Sequence, residues 1–183
     1  MGEAINLVEN FKVEKVIFNC GEFNELELEL IKVLDKKKIP YHSCIKELNI
    51  SDNKLYFLNN KDYGNENYNS SVIYTELSNH KFLFMGDAGI EVEEDLIKKY
   101  NLQDIDVLKV GHHGSKTSSN KAFINEINSK YGVISVGKNN RYVHPNKEVL
   151  ENLSDSNIYR TDQDGSVKFK IKNNELQIET CSP

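Results

Sequence analysis

The chain has 183 residues, enough for one domain with a real core, and its 38% apolar and 28% charged content excludes a disordered polymer. A net charge of −5 argues against a general basic nucleic-acid surface, although a metal centre with local Lys and Arg residues still holds phosphate. No apolar run is long enough to read as a membrane span, the start does not read as a secretory signal, and Cys20, Cys44 and Cys181 are too few and too widely spaced to imply structural zinc or a disulfide framework.

Taken in order, residues 3–11 read as a helix with Ile5, Leu7 and Val8 inward, and residues 15–19 as a buried strand. Asn24 and Glu27 form a possible capping box for a helix carrying Leu26, Leu30, Ile31 and Leu34. Lys36 to Lys38 favour its C-terminal end, and Pro40 prevents its continuation. The opening 45 residues are therefore expected to be α/β. Residues 54–58 read as a strand and 59–69 as an exposed loop rich in Asn, Asp and Gly. Strands at 72–77 and 82–85 form a hairpin around Ser78-Asn79-His80, and residues 91–100 a helix with Val92, Leu96 and Ile97 inward. A helix over 120–129 buries Phe123, Ile124 and Ile127, residues 133–136 form another buried strand, and Pro145 suits the first turn of a helix ending at Leu153. Strands at 157–160, 166–171 and 175–180 close the chain, with no repeat and no interdomain linker, so residues 1–183 read as a single domain.

The stretch Ile105 to Ser118 carries the chemistry. Val107, Leu108 and Val110 form a short buried strand that stops at Gly111 and presents His112 and His113, then Gly114 and the hydroxyls of Ser115, Thr117 and Ser118. Lys81 to Asp87 repeats the design: an apolar strand, a glycine, then a carboxylate. Two such strand ends side by side in one sheet would bring the carboxylate and the imidazoles together. The plainer readings stay open: Asp87 capping the next helix, His112 and His113 as turn residues, the hydroxyls as caps for the helix that follows, Asn140 and Arg141 as an exposed loop, and His42 and His80 solvated.

FLFMGDAG followed by LKVGHHGSKTSS resembles the metallo-β-lactamase superfamily, and more narrowly the C-terminal hydrolase domain of the competence protein ComEC, a DNA-uptake channel. Asn69-Ser70-Ser71-Val72 is similar to that family's Asn-x-Ser strand start. Ile134 to Gly137 with Asn139, Asn140, Arg141, Tyr142, His144 and Pro145 is similar to its SxGxxNxYxHP segment, with Val143 where glycine is usual. Arg160-Thr161-Asp162 to Gly165 is similar to its closing RTDxxG. The superfamily's main metal motif, His-x-His-x-Asp-His, occurs nowhere in the sequence, and Met1-Gly2-Glu3-Ala4 matches what normally follows it, so the chain is expected to be a member cut just after that motif.

The resemblance implies an α/β (α+β) fold, an αββα sandwich with its N-terminal part missing. It implies a metal-dependent phosphodiesterase or nuclease acting on DNA during uptake, with Asp87 bridging two ions of zinc or manganese, His112 completing the second site and His113 near substrate. Asn69, Ser70, Ser115, Thr117, Ser118, Asn140, Arg141 and His144 would contact substrate. Two readings compete with this: a hydrolase of another ester on the same fold, and a non-catalytic DNA- or protein-binding module. With two side-chain ligands the chain alone is expected to bind metal weakly and hydrolyse little. It is also expected to self-associate through an uncovered N-terminal face around residues 3–18. A membrane enters only through a ComEC-type parent, which would hold the domain tethered outside the cytoplasm; otherwise the domain is cytoplasmic.

Overall fold

The computed structural model describes residues 3–182. Its centre is a seven-stranded sheet in the order β3-β4-β5-β6-β7-β8-β9. The strands are β3 (Glu47–Ile50), β4 (Asn53–Phe57), β5 (Ile73–Leu77), β6 (His80–Phe84), β7 (Val107–Lys109), β8 (Tyr131–Ile134) and β9 (Asn157–Arg160). The β3 to β6 part is an antiparallel meander, whereas β6 to β9 run parallel. Parallel neighbours need crossovers, and these are the helices α3 (Ile90–Lys99), α4 (Lys121–Ile127) and α5 (Lys147–Asn152).

Alternation decides which strand residues the helices cover. Leu83 and Met85, Leu108 and Val110, and Ile134 and Val136 join Val92, Leu96, Phe123, Ile127, Val149 and Leu153 in one buried cluster. On β6 the opposite face carries Phe82, which is buried, and Phe84, which is 40% exposed. The β5–β6 turn is shorter than the sequence suggests. Ser78 and Asn79 both take left-handed backbone, so His80 starts the strand opposite Leu77. That histidine is not solvated: its Nε2 lies 3.1 Å from the Asn174 carbonyl and its Nδ1 3.6 Å from Asp106. No pattern in the sequence marks β3, a short edge strand with three of its four residues exposed. Asn146, one residue beyond Pro145, caps α5, and Asn120 caps α4.

A second, smaller lobe comprises α1 (Ala4–Asn10), β1 (Val16–Phe18), α2 (Glu25–Lys37) and β2 (Tyr41–Ser43), with β1 and β2 paired in parallel. The Asn24–Glu27 capping box is formed in both directions. Val8, Phe18, Leu30 and Leu34 make its core, and Leu7 points out at 54% exposure. Phe18 is covered by its own chain, so the apolar surface left on this lobe is Leu7, Phe11, Leu26 and Leu28 rather than the strand. Contrary to expectation, Cys20 and Cys44 form a disulfide, leaving Cys181 free. The 24-residue spacing hid it, because the parallel β1–β2 register is what places the two cysteines at the same end of the pair. The last strands, β10 (Ser166–Lys172) and β11 (Glu175–Cys181), form a separate hairpin after the one-turn helix α6 (Thr161–Asp164), with Phe169 against Tyr131.

Candidate functional site

The ends of β6 and β7 are neighbours in the sheet, and their turns are bonded directly: the His112 N–H donates to the Gly86 carbonyl at 3.0 Å. Gly86 has φ +57°, which frees the Asp87 N–H to donate to Ser70 Oγ at 3.1 Å. Asp87 does not cap α3, whose N-cap is Gly89. His112 and His113 both take left-handed backbone, with φ of +43° and +56°. Two consecutive non-glycine residues there are strained, and such strain persists only where the surroundings hold it. Gly114 follows with φ +79°, and a Cβ on it would lie 2.6 Å from Pro145 Cβ, so this position must stay bare for the turn to meet the 139–145 loop.

The side chains converge unevenly. His113 Nδ1 lies 2.7 Å from the Ser135 carbonyl oxygen. A carbonyl only accepts, so Nδ1 carries a proton, and the neutral tautomer this selects has its lone pair at Nε2. That Nε2 lies 3.7 Å from Asp87 Oδ1. His112 instead has its Nδ1 3.3 Å from Thr117 Oγ1, with its ring 6.2 Å from that of His113 and 6.2 Å from that of His144. Asp87 also borders a cleft of about 200 Å³ shared with Asn19, Glu22, Glu27 and Asn69 of the lobe and the 59–70 loop.

Two groups of the cluster are shifted electrostatically. Burial pushes the Lys109 ammonium down, while the Asp87 charge acts in the opposite sense; its Nζ donates to the Val110 carbonyl at 2.8 Å. Burial also lowers His144, helped by the positive charge that His112 and His113 can carry.

Of the other residues singled out in the sequence, several are committed to shaping the turns. The Asn69 amide accepts from Tyr63 N and donates to Asp62, inside a 59–70 loop that is folded against α3 rather than simply exposed: Asn59 is buried, and Tyr63 donates to Asp95. Ser70 accepts from Asp87 N. Ser118 is buried and ties the Gly111 and Ser115 carbonyls, and Ser115 bonds Thr117. Asn140 brackets His144, accepting its N–H at 2.9 Å and donating to its carbonyl at 2.8 Å. Arg141 is exposed, with a guanidinium N–H on the Tyr142 hydroxyl.

Sequence reasoning missed Lys109 and Glu93. Glu93 is completely buried and accepts from Ser119 N, Asn120 N at 3.0 Å and Asn120 Nδ2 at 2.8 Å. It thereby joins α3, which follows Asp87, to the loop that follows His113. It stands in an acidic first turn, IEVEED, where its neighbours make it look like one more solvated charge; only its position beside Val92 and Leu96 on the inward face gave a signal.

The donor set suits a divalent ion in kind, since a carboxylate and an imidazole lone pair face the same point. The second imidazole nitrogen is anchored on a backbone carbonyl, the usual support for a ligating histidine. It falls short in number, because no group of three His, Cys, Asp or Glu able to hold a metal occurs among the described residues.

The sequence profile of the metallo-beta-lactamase superfamily matches residues 21–138. ComE operon protein 3 of Bacillus subtilis (strain 168) is 33% identical over 180 residues, which cover 94% of this chain and 23% of that protein. Competence protein ComA of Neisseria gonorrhoeae is 37% identical over 110 residues, 58% of this chain and 16% of that protein. Recombination protein 2 of Haemophilus influenzae is 33% identical over 116 residues, 62% of this chain and 14% of that protein. The chain thus spans less than a quarter of the length of these curated relatives.

Proposed function

The chain belongs to the metallo-β-lactamase superfamily, and from that premise we propose that it carries part of a divalent-metal phosphodiesterase or nuclease site acting on DNA in competence-related uptake. The observation that carries this is the approach of His113 Nε2 to Asp87 Oδ1 at 3.7 Å, with Nδ1 fixed on Ser135. Two Lewis bases facing each other at that separation repel unless a proton or a cation lies between them. Asp87 and His113 would hold zinc or manganese, with His112 beside them but on Thr117, and the bound ion would supply an activated water and neutralise charge on a phosphodiester. The chain's own residues do the rest. Thr117 orients His112, Ser135 fixes the His113 tautomer, and Lys109, which feels the Asp87 charge, and the exposed Arg141 would supply positive charge for a phosphate.

Two side-chain ligands are fewer than the three a catalytic zinc usually keeps, so binding to this chain is weak and hydrolysis slow. The Cys20–Cys44 disulfide supports an oxidising, extracytoplasmic setting. Among the described residues no helix is long and apolar enough to cross a membrane, so attachment to one would come through other parts of a longer protein.

The test is calorimetric titration with zinc and with manganese, alongside cleavage of a labelled oligonucleotide with and without chelator. The expected result is binding in the micromolar range or weaker and slow, chelator-sensitive cleavage, both lost in Asp87→Asn. Oligonucleotide binding with no metal response overturns the hydrolase reading in favour of a non-catalytic DNA- or protein-binding module, which the shortage of ligands favours. Light scattering of the same samples across a dilution series reads self-association through Leu7 and Phe11; a constant monomer mass removes that part.

A further inference from the structure

The loop between β8 and α5 presents an exposed aromatic side chain beside the histidines for which the site as described has no use. Tyr142 is 62% exposed and Val143 83% exposed, although both sit in a loop that is firmly built. Asn140 holds His144 through both backbone groups, Val143 N donates to the Asn140 carbonyl at 3.1 Å, and Asn146 N donates to the Gly114 carbonyl at 2.8 Å. Val143 has φ +56°, a conformation that a β-branched residue adopts only under constraint. The loop is therefore held in a shape that costs energy and leaves a large apolar surface in water.

The shape also stacks planar groups. The Tyr142 ring lies 5.7 Å from the His144 ring at an interplanar angle of 17°, and His144 in turn is 6.2 Å from His112. The Arg141 guanidinium carbon is 4.6 Å from the Tyr142 ring centre. Charge favours an anionic occupant: Lys138 and Arg141 flank the ring in a chain whose net charge is −5, whereas Lys147 is paired with Glu151 at 3.2 Å. An exposed aromatic ring backed by a planar partner and flanked by cations is the arrangement by which proteins hold single-stranded nucleic acid.

We propose that Tyr142 is a stacking platform for one unpaired nucleobase of a polynucleotide strand, with Arg141 turning from the tyrosine to the adjoining phosphate. This rests on the reading of the site as one for DNA and narrows it to single strands, because a base paired in a duplex cannot offer its face to Tyr142.

The test is fluorescence polarisation in chelator, where no cleavage intervenes, with a labelled oligothymidylate and an abasic strand of equal length. The oligothymidylate is expected to bind roughly five- to a hundredfold more tightly than the abasic strand. Tyr142→Ala should remove that difference while leaving the abasic strand's affinity unchanged, and Tyr142→Trp should restore it. Tyr142 is exposed, so circular dichroism should report an intact fold in both variants. An oligothymidylate preference that persists in Tyr142→Ala overturns the platform, as does equal affinity for the two strands in the unaltered chain. Metal-dependent cleavage that survives either of those outcomes leaves the hydrolase reading standing. An oligothymidylate preference that depends on Tyr142 without any metal response supports the platform and removes the hydrolase reading alone.

Discussion

Leu108 and Leu34 are both completely buried, one in the seven-stranded sheet and one in the small lobe, yet they sit in different surroundings. Leu108 belongs to a cluster of eighteen buried residues fed by parallel strands and three crossover helices; Leu34 belongs to a cluster of four, closed by a disulfide. The large half is held chiefly by apolar burial, because alternating strand residues and three helix faces meet there. The lobe has too little apolar surface to behave the same way, and a covalent tie constrains its unfolded chain instead. Asp87, His112 and His113 all stand on turns of the large half. Their placing depends on its core, with the lobe contributing one wall of the cleft beside Asp87.

That contrast breaks first at Leu108. Leu108→Ala removes a completely buried side chain from the middle of β7 and should cost about 4 kcal/mol, read by urea unfolding. A loss below about 1 kcal/mol would mean that the cluster is not the single core described.

The disulfide gives the next largest effect. Reduction, or Cys20→Ser with Cys44→Ser, releases a 24-residue loop and should cost the lobe about 3 kcal/mol. Amide exchange should quicken in β1 and α2 while the β6–β9 amides keep their protection. If the β6–β9 amides lose protection to the same extent, the two regions share one stability and the comparison fails.

Much of this division is legible in the sequence. Period-2 and period-3.6 patterns locate β1, α2, β5, α3, β7 and α4 to within a few residues, because each buries part of one face, and β9 also lies where expected although its residues are at most half-buried. The adjacency of the Asp87 and His112 turns follows from two strand–glycine designs in one sheet. What escaped has physical reasons too. β3 buries almost nothing, so no pattern marks it. The Cys20–Cys44 bond and the approach of His113 Nε2, rather than His112, to Asp87 arise from strand register and turn geometry that spacing along the chain does not encode. Val143 was visible as an unusual residue in its motif, but its left-handed backbone and exposure appear only with the loop folded.

The smallest effect concerns Glu93, which ties the two turns within the large half. It is buried with no cationic partner among the described residues, accepting three N–H donors from Ser119 and Asn120. Burial raises its pKa from 4.5 to about 7, against the opposing pull of those donors, with nearby Glu94 adding a little in the same direction as burial. A raised folded-state value means that the native protein holds a proton the unfolded chain has released. The associated stability is therefore fully present below the unfolded value of 4.5 and is lost as pH rises through about 7. Glutamine does not titrate, so the stability of the unaltered chain minus that of Glu93→Gln should fall as pH rises, by about 1 kcal/mol between pH 6 and pH 8. The same difference should be level below about pH 4 and above about pH 8. Urea unfolding of both proteins across that range measures it. A difference that rises with pH would show that the three N–H donors outweigh burial and hold Glu93 ionised throughout. The α3–α4 tie would then be a charged one, and a buried charge rather than a neutral carboxyl would join the two turns.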